Sequence, residues 1–277
     1  MQEATKSIAI LGCGNIGGAI ARGLVASTAF QPADLTLTRR GIDGLEKFAA
    51  LGFKTSSDNL AALRAARLVI LAVTPQQING LLEEIKPVLQ ARKHILVSVV
   101  SGASIRQIKT RVPAGLAVVR VMPNTAIAFR QSMTCLCAED QDERAMREVT
   151  EIFDRLGRSV VIREDLMVPA TALCACGTAF FLRAIRAASQ GGVEIGFHAE
   201  EALTMAAQTA KGAASLLLER SNHPEREVDK VTTPQGCTIA GLNQMEHSGF
   251  SSSMIRGIVT AAEKARNLYR KNEHDRD

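Results

Sequence analysis

Short apolar runs recur through the first part of the chain, each followed by a segment with helical spacing. Ile8–Leu11, Asp34–Thr38, Phe53–Ser56, Arg67–Val73, His94–Val100, Ala117–Met122, Thr134–Cys137 and Ser159–Ile162 have the length and β-branched content of strands. Between them, Gly18–Val25, Gly44–Leu51, Asn59–Ala66, Ile78–Leu89, Ile105–Arg111 and Asp142–Leu156 have helical patterns. Ser104 is placed to cap Ile105–Arg111, its hydroxyl accepting from first-turn amides. The run Arg67–Val73 is apolar at nearly every position, as a central parallel strand covered on both faces must be. Alternation of this kind predicts an α/β domain with a doubly wound parallel sheet.

Near residue 164 the strand pattern stops. Leu166–Gln190 is long and mostly apolar, and Ala199–Arg220, a helix running to His247, and Ser251–Lys271 follow as helices, with a frayed tail at Asn272–Asp277. Pro224–Lys230 fits one or two helical turns. The expected division is therefore 1–163 and 164–277. The later helices carry broad apolar faces, such as Leu203, Ala206 and Ala210, or Ile239, Leu242 and Met245. A small helical domain cannot bury faces that wide against itself, so dimerisation is expected, with packing against the first domain as the alternative.

Candidate chemistry starts at the first strand. Gly12-Cys13-Gly14-Asn15-Ile16-Gly17 spells G-x-G-x-x-G between a strand and a helix. In that context Gly12 serves the tight turn, Gly14 the approach of a pyrophosphate, and Gly17 helix–strand packing. The pyrophosphate would rest on the free N–H groups that open the helix, from Asn15 and Ile16 onward. The second strand ends in Arg39-Arg40, where an acidic residue would select NAD; guanidinium groups suit a 2′-phosphate, so NADPH is expected, with NADH possible. Val73-Thr74-Pro75 and Met122-Pro123-Asn124 lie at C-terminal strand ends, where this architecture meets its ligand.

Composition narrows the rest. Hydrophobic residues make up 46% and aromatics 4%, with no Trp, so the core is aliphatic. A net charge of +5 without a dense basic block argues against nucleic acid. The N-terminus lacks a signal-peptide pattern, and no apolar run is expected to reach a membrane span; a cytoplasmic location follows as an expectation. The six cysteines include the C-x-C pairs Cys135/Cys137 and Cys174/Cys176, which lack the spacing and histidines of a metal site and fit buried thiols better.

Val119-Arg-Val-Met-Pro-Asn-Thr125 and, above all, Val231-Thr-Thr-Pro-Gln-Gly-Cys-Thr-Ile239 with Gly241-Leu, Glu246 and Ser248-Gly-Phe resemble the pyrroline-5-carboxylate reductase family nearly end to end. The resemblance implies a Rossmann-type domain followed by an all-helical dimerisation domain, in homodimers or larger rings of dimers. It implies reduction of the cyclic imine of L-1-pyrroline-5-carboxylate to L-proline. Thr233, Gly236, Cys237 and Thr238 would hold the substrate carboxylate and ring, and Thr238 would hydrogen-bond the ring nitrogen; its plainer role is to satisfy backbone at a helix start. Departures from the family pattern fall at Thr74, Cys174, Cys176 and Gln235. The last stands where the family has glycine, so the loop is expected either to differ or never to have needed glycine there. These departures keep two alternatives open: a weakened NADP(H)-binding paralogue acting as a sensor or partner, and a reductase of a related imine. A β-hydroxyacid dehydrogenase fits poorly, because Lys211 is followed at the required spacing by Ser215 and not by asparagine.

Overall fold

The computed structural model describes residues 7–220 and 222–266. The expected frayed tail, and the end of the last helix beyond Arg266, lie outside the described residues. Two compact units emerge: residues 7–176 with 261–266, and residues 177–260. The unit boundary falls inside a continuous helical run, 13 residues after the division at 163 expected from sequence.

The first unit holds eight strands: β1 (Ile8–Leu11), β2 (Leu35–Thr38), β3 (Lys54–Ser56), β4 (Leu68–Leu71), β5 (Ile95–Ser98), β6 (Ala117–Met122), β7 (Ser132–Ala138) and β8 (Gly157–Val161). They form one sheet in the order β3-β2-β1-β4-β5-β6-β7-β8. All pairs are parallel except β6–β7, which is antiparallel. The helices of this unit are α1 (Asn15–Ala26), α2 (Glu46–Ala49), α3 (Asn59–Ala65), α4 (Ile78–Ile85), α5 (Ile105–Lys109), α6 (Glu143–Asp154) and α7 (Met167–Ala170). Several 3₁₀ turns, among them Thr125–Phe129, and a π-helical stretch at Thr171–Cys176 also belong to it.

Two apolar cores form, one on each face of the sheet, and the strands feed them alternately. Ile8 and Ile10 of β1 enter the first; Ala9 and Leu11 enter the second. The period-2 geometry of a strand requires this wherever both faces are covered, which is why the central strands look continuously apolar in sequence. β4 is shorter than the apolar run that predicts it, because Ala72 and Val73 leave the ladder to close over the β1–α1 turn. Ser104 does cap α5: its Oγ accepts from the Gln107 N–H at 3.1 Å, and Gln107 Oε1 accepts from the Ser104 N–H at 2.9 Å.

The second unit contains α8 (Gly177–Glu194), α9 (Ala199–Arg220), α10 (Pro224–Val231), α11 (Cys237–His247) and most of α12 (Phe250–Arg266). Its apolar residues are poorly covered. Phe181, Leu182 and Ile255 are each about 60% exposed, and Ala202 is the one hydrophobic residue fully buried among its described residues. The run 164–194 also corrects one expectation: it contains an 18-residue stretch with a mean hydropathy of 1.6, so it is long and apolar enough to cross a membrane by length and composition, and 28% of that stretch is buried within the chain. The run joins a 3₁₀ turn at Glu164–Leu166, α7, the π stretch and α8 into one continuous helical segment.

Candidate active site

The strand order reverses between β1 and β4, the switch point beyond whose C-terminal strand ends this architecture places its ligand crevice. Gly12 has φ +89°, a conformation L-residues avoid, and a side chain there would overlap Val73 and the Ala72 carbonyl. The turn is fixed from the other side by Thr38, whose carbonyl accepts from the N–H groups of Gly12 (3.1 Å) and Cys13 (2.7 Å). Gly14 faces open space, so its exposed backbone is the approachable one. At Gly17 an added Cβ would press within 3.1 Å of the Gly12 carbonyl and of Ile10. Each glycine therefore meets the requirement its place in the fingerprint predicts.

Helix α1 opens at Gly14 with no side-chain cap, leaving the first-turn amides, from Asn15 and Ile16 on, as donors toward the crevice. Asn15 is exposed, while Ile16 leans on the first core. These residues fit a dinucleotide phosphate: the turn offers donors, an approachable glycine and no competing acidic side chain in the first turn.

Arg39 and Arg40 are exposed just past β2, and the Arg39 guanidinium lies over Gly44, where any Cβ would collide with it. Glycine at 44 thus leaves Arg39 its resting place, a contribution the sequence pattern did not reveal. At the strand end Thr38 Oγ1 donates to Asn59 Oδ1 at 2.5 Å, and Asn59 Nδ2 to Glu84 Oε1 at 3.0 Å, so the β2 terminus is braced by two neighbouring helices.

The remaining cofactor-side residues divide by exposure. Val73 and Pro75 are half-buried and Thr74 is exposed, its N–H directed to Gln77 Oε1 at 3.4 Å. Met122 and Pro123 are buried, so only their backbone can face a ligand. Asn124 is committed internally. Its Oδ1 accepts from the Ala126 N–H and its Nδ2 donates to the Cys174 carbonyl, both at 3.1 Å, so its side chain holds the loop in place.

In the second unit, Thr233-Pro234-Gln235-Gly236 forms a tight turn closed by a Gly236 N–H to Thr233 carbonyl bond of 2.9 Å. Proline at the second position and positive φ at the third are the preferences of a type II turn. Gln235 takes that third position at φ +59°. Glutamine thus adopts at a cost a left-handed conformation that favours glycine. At Gly236 a Cβ would overlap Thr233 Oγ1, so this glycine is required. Gly236 then begins α11 without a side-chain cap. The free amides of Cys237 and Thr238 project from the positive end of an 11-residue helix, a receptor for a carboxylate. Thr233 and Cys237 are exposed and Thr238 is half-buried. No hydrogen bond engages the Thr238 hydroxyl, so the capping role open to it is not the one it plays.

A cavity of about 270 Å³ lies elsewhere, at the opposite end of the sheet, lined by Arg67, Lys93, His94, Arg144 and Glu148 among others. Among the described residues no cluster of three His, Cys, Asp or Glu side chains is placed to hold a metal.

The switch-point cradle, the basic β2 terminus and the uncapped helix of an all-helical unit define a dinucleotide-dependent oxidoreductase with a Rossmann-type domain. Comparisons with known proteins agree. The family model for pyrroline-5-carboxylate reductase dimerisation matches residues 164–268, and that for NADP oxidoreductase, coenzyme F420-dependent, matches residues 7–102. The chain is 52% identical to pyrroline-5-carboxylate reductase 1 of Dictyostelium discoideum over 98% of its own length, though it spans only 51% of that protein. It is 48% identical to pyrroline-5-carboxylate reductase 2 of the same organism, covering 94% of this chain and 92% of the relative. Among solved structures, a pyrroline-5-carboxylate reductase from Coxiella burnetii superposes with a TM-score of 0.84 at 28% identity, over 95% of this chain and 98% of the other. The chain belongs to the pyrroline-5-carboxylate reductase family.

Proposed function

We propose that this chain reduces L-1-pyrroline-5-carboxylate to L-proline with NADPH, the closing step of proline biosynthesis. The observation that carries the reading is the turn at 233–236: it keeps a left-handed residue even with glutamine at 235, and so presents the amides of α11.

NADPH, bound at the Gly12–Gly17 cradle with Arg39 and Arg40 toward its 2′-phosphate, supplies a hydride. The chain's own residues do the rest. The Cys237 and Thr238 amides receive the substrate carboxylate, with Thr233 adding a hydroxyl. The Thr238 hydroxyl hydrogen-bonds the ring nitrogen, which takes up a proton, supplied ultimately by solvent, as the hydride adds to carbon and C=N becomes C–N. Orientation of this kind is where a protein contributes when the hydride donor carries the hard step. The NADP oxidoreductase match over 7–102 and the guanidinium pair at the β2 end support the cofactor.

The assembly proposed is a homodimer, or a ring built from dimers, supported by the dimerisation match and by the uncovered apolar residues of the second unit. A cytoplasmic site of action fits six cysteines none of which is in a disulfide.

The deciding experiment follows the loss of reduced-nicotinamide absorbance with pyrroline-5-carboxylate. Wild type should turn over, and Thr238→Ala should lose on the order of 10²-fold in kcat while still binding NADPH. A wild type that binds NADPH without oxidising it would instead favour the sensor reading.

A further inference from the structure

The proposed reaction leaves the cysteines unused. Cys13, Cys135 and Cys137 are sealed in the interior, Cys174 and Cys176 are half-buried, and Cys237 is exposed. Two of them meet. Cys135 on β7 and Cys174 in the π-helical stretch bring their sulfurs to 3.9 Å. The two residues lie 39 positions apart in the chain, so the fold, not local sequence, creates the pair.

Its position matters. Cys135 is paired across the ladder with Met122, the last residue of β6. The Cys174 carbonyl accepts from Asn124 Nδ2. The two thiols therefore flank the Met122–Asn124 strand end assigned to the cofactor side. A shared hydrogen bond makes them unequal. Cys135, the more enclosed, keeps its proton, being pushed upward by that bond and by burial. Cys174 accepts the bond as a thiolate and is lowered by it to about 7, against an opposing push from burial. A thiolate near neutral pH beside a second thiol is the arrangement redox-responsive cysteines use.

We propose that Cys174 and Cys135 form a hydroperoxide-oxidisable dithiol that closes to an intrachain disulfide and, once closed, weakens NADPH binding at the neighbouring loop. In the first step the Cys174 thiolate attacks the O–O bond of the peroxide. An S–O bond forms, the O–O bond breaks, and the departing oxygen takes a proton, leaving a sulfenic acid. In the second step Cys135 attacks that sulfur, giving up its proton as the S–S bond forms and water leaves. Two thiols lose two electrons and two protons, and with hydrogen peroxide the products are the disulfide and two waters. A dithiol reductant reverses the change. The sulfurs must approach from 3.9 Å to about 2.05 Å. The movement falls on the π-helical stretch, a winding poorer in hydrogen-bond geometry than the α-helix around it. Because Cys174 also holds Asn124, that movement pulls on the loop.

The disulfide half of the proposal does not depend on the reductase reading; the NADPH half rests on it. Full-length protein is treated with stepwise hydrogen peroxide, alkylated, digested and mapped by mass. The expected product is a 135–174 cross-linked peptide, two hydrogens lighter than the reduced pair, formed before other cysteines react and reversed by dithiothreitol. Cys174→Ser should abolish it, and Cys135→Ser should stop at a sulfenic acid on Cys174 that dimedone traps. The wild-type map decides even if a variant folds poorly. Oxidation of Cys176 or Cys237 while Cys135 and Cys174 stay alkylatable would overturn the assignment, as would Cys174 passing to sulfinic acid without a cross-link. NADPH titration by fluorescence should then give a Kd several-fold higher for the cross-linked protein. An unchanged Kd on fully cross-linked protein would overturn the coupling to the loop.

Discussion

Gln235 illustrates how one side chain can be wrong for its backbone and still be tolerated. A non-glycine residue in the left-handed region costs roughly 1 kcal/mol or more, and nothing in its surroundings returns that energy: the side chain is exposed and makes no hydrogen bond. Gln235→Gly should therefore raise stability by about 0.5–1 kcal/mol, the gain being trimmed by the extra freedom of glycine in the unfolded chain. A urea titration comparing midpoints at equal slope measures it; a destabilised variant would mean the glutamine makes a contact absent here. His94 is a second residue whose setting opposes its chemistry. It is buried, with Nδ1 accepting from the Gln90 N–H at 2.9 Å. Burial first, and the Lys93 charge second, hold its pKa below the ordinary value. Above about pH 6.5 both folded and unfolded forms are neutral and the group is without effect. As pH falls below that value the unfolded chain takes a proton the folded one resists, so stability is lost on acidification. The contribution is at most about 1.4 kcal/mol per pH unit, and His94→Gln should flatten the pH dependence of ΔG just below about pH 6.5 whatever it does to absolute stability. An unaltered slope would assign the acid limb to the carboxylates.

At the scale of elements, one ion pair ties the sheet to the start of the long helical run. Arg120, in the middle of β6, has a side chain 5% exposed and donates to Glu164 Oε1 at 3.0 Å. The same carboxylate oxygen accepts from the Ile105 N–H at 2.6 Å, serving the first turn of α5. Removing one partner of a buried pair is costly because the other charge stays behind. Glu164 is itself about a third exposed, which lets water reach the site and discounts the penalty, so Glu164→Ala should cost about 2–3 kcal/mol in chemical denaturation. The double replacement Arg120→Met with Glu164→Leu should recover much of that loss, and a double variant as unstable as the single would show that the α5 contact, not the stranded charge, dominates. Neither partner was legible beforehand. Arg120 sits within an apolar run that correctly predicts β6 end to end, and Glu164 stands where the strand pattern merely stops. Short continuous apolar runs located the strands because both faces of this sheet are covered, and the 3.6-residue period located the helices that cover them. These patterns passed over the 3₁₀ turn at Thr125–Phe129 and the π stretch at Thr171–Cys176, whose windings are set by tertiary neighbours. The glycine fingerprint was legible to the residue, since sterics leave no substitute at Gly12 or Gly17. The support that Gly44 gives Arg39 was invisible, because it depends on where a long side chain folds back.

At the scale of the whole molecule, the two units solve burial differently. The first fills both faces of its sheet with its own side chains. The second, residues 177–260, carries 15 of the 21 exposed large hydrophobic residues among the described residues, an excess of uncovered apolar surface. The same surplus explains why the run 164–194 meets the length and hydropathy of a membrane span, while the family model assigns 164–268 to dimerisation. Association of copies through this unit accounts for both facts by one cause: burial of apolar helix faces, at about 25 cal/mol per Å², that the isolated chain cannot complete. Leu182 on α8, 60% exposed, is a suitable probe because most of its side chain is uncovered within its own chain. By light scattering the wild type should show a multiple of the 29.7 kDa chain mass, and Leu182→Arg should shift the distribution toward 29.7 kDa with helix content retained. A wild-type mass of one chain would remove the oligomer from the proposal, and a multimeric Leu182→Arg would place the interface on another face of the same unit.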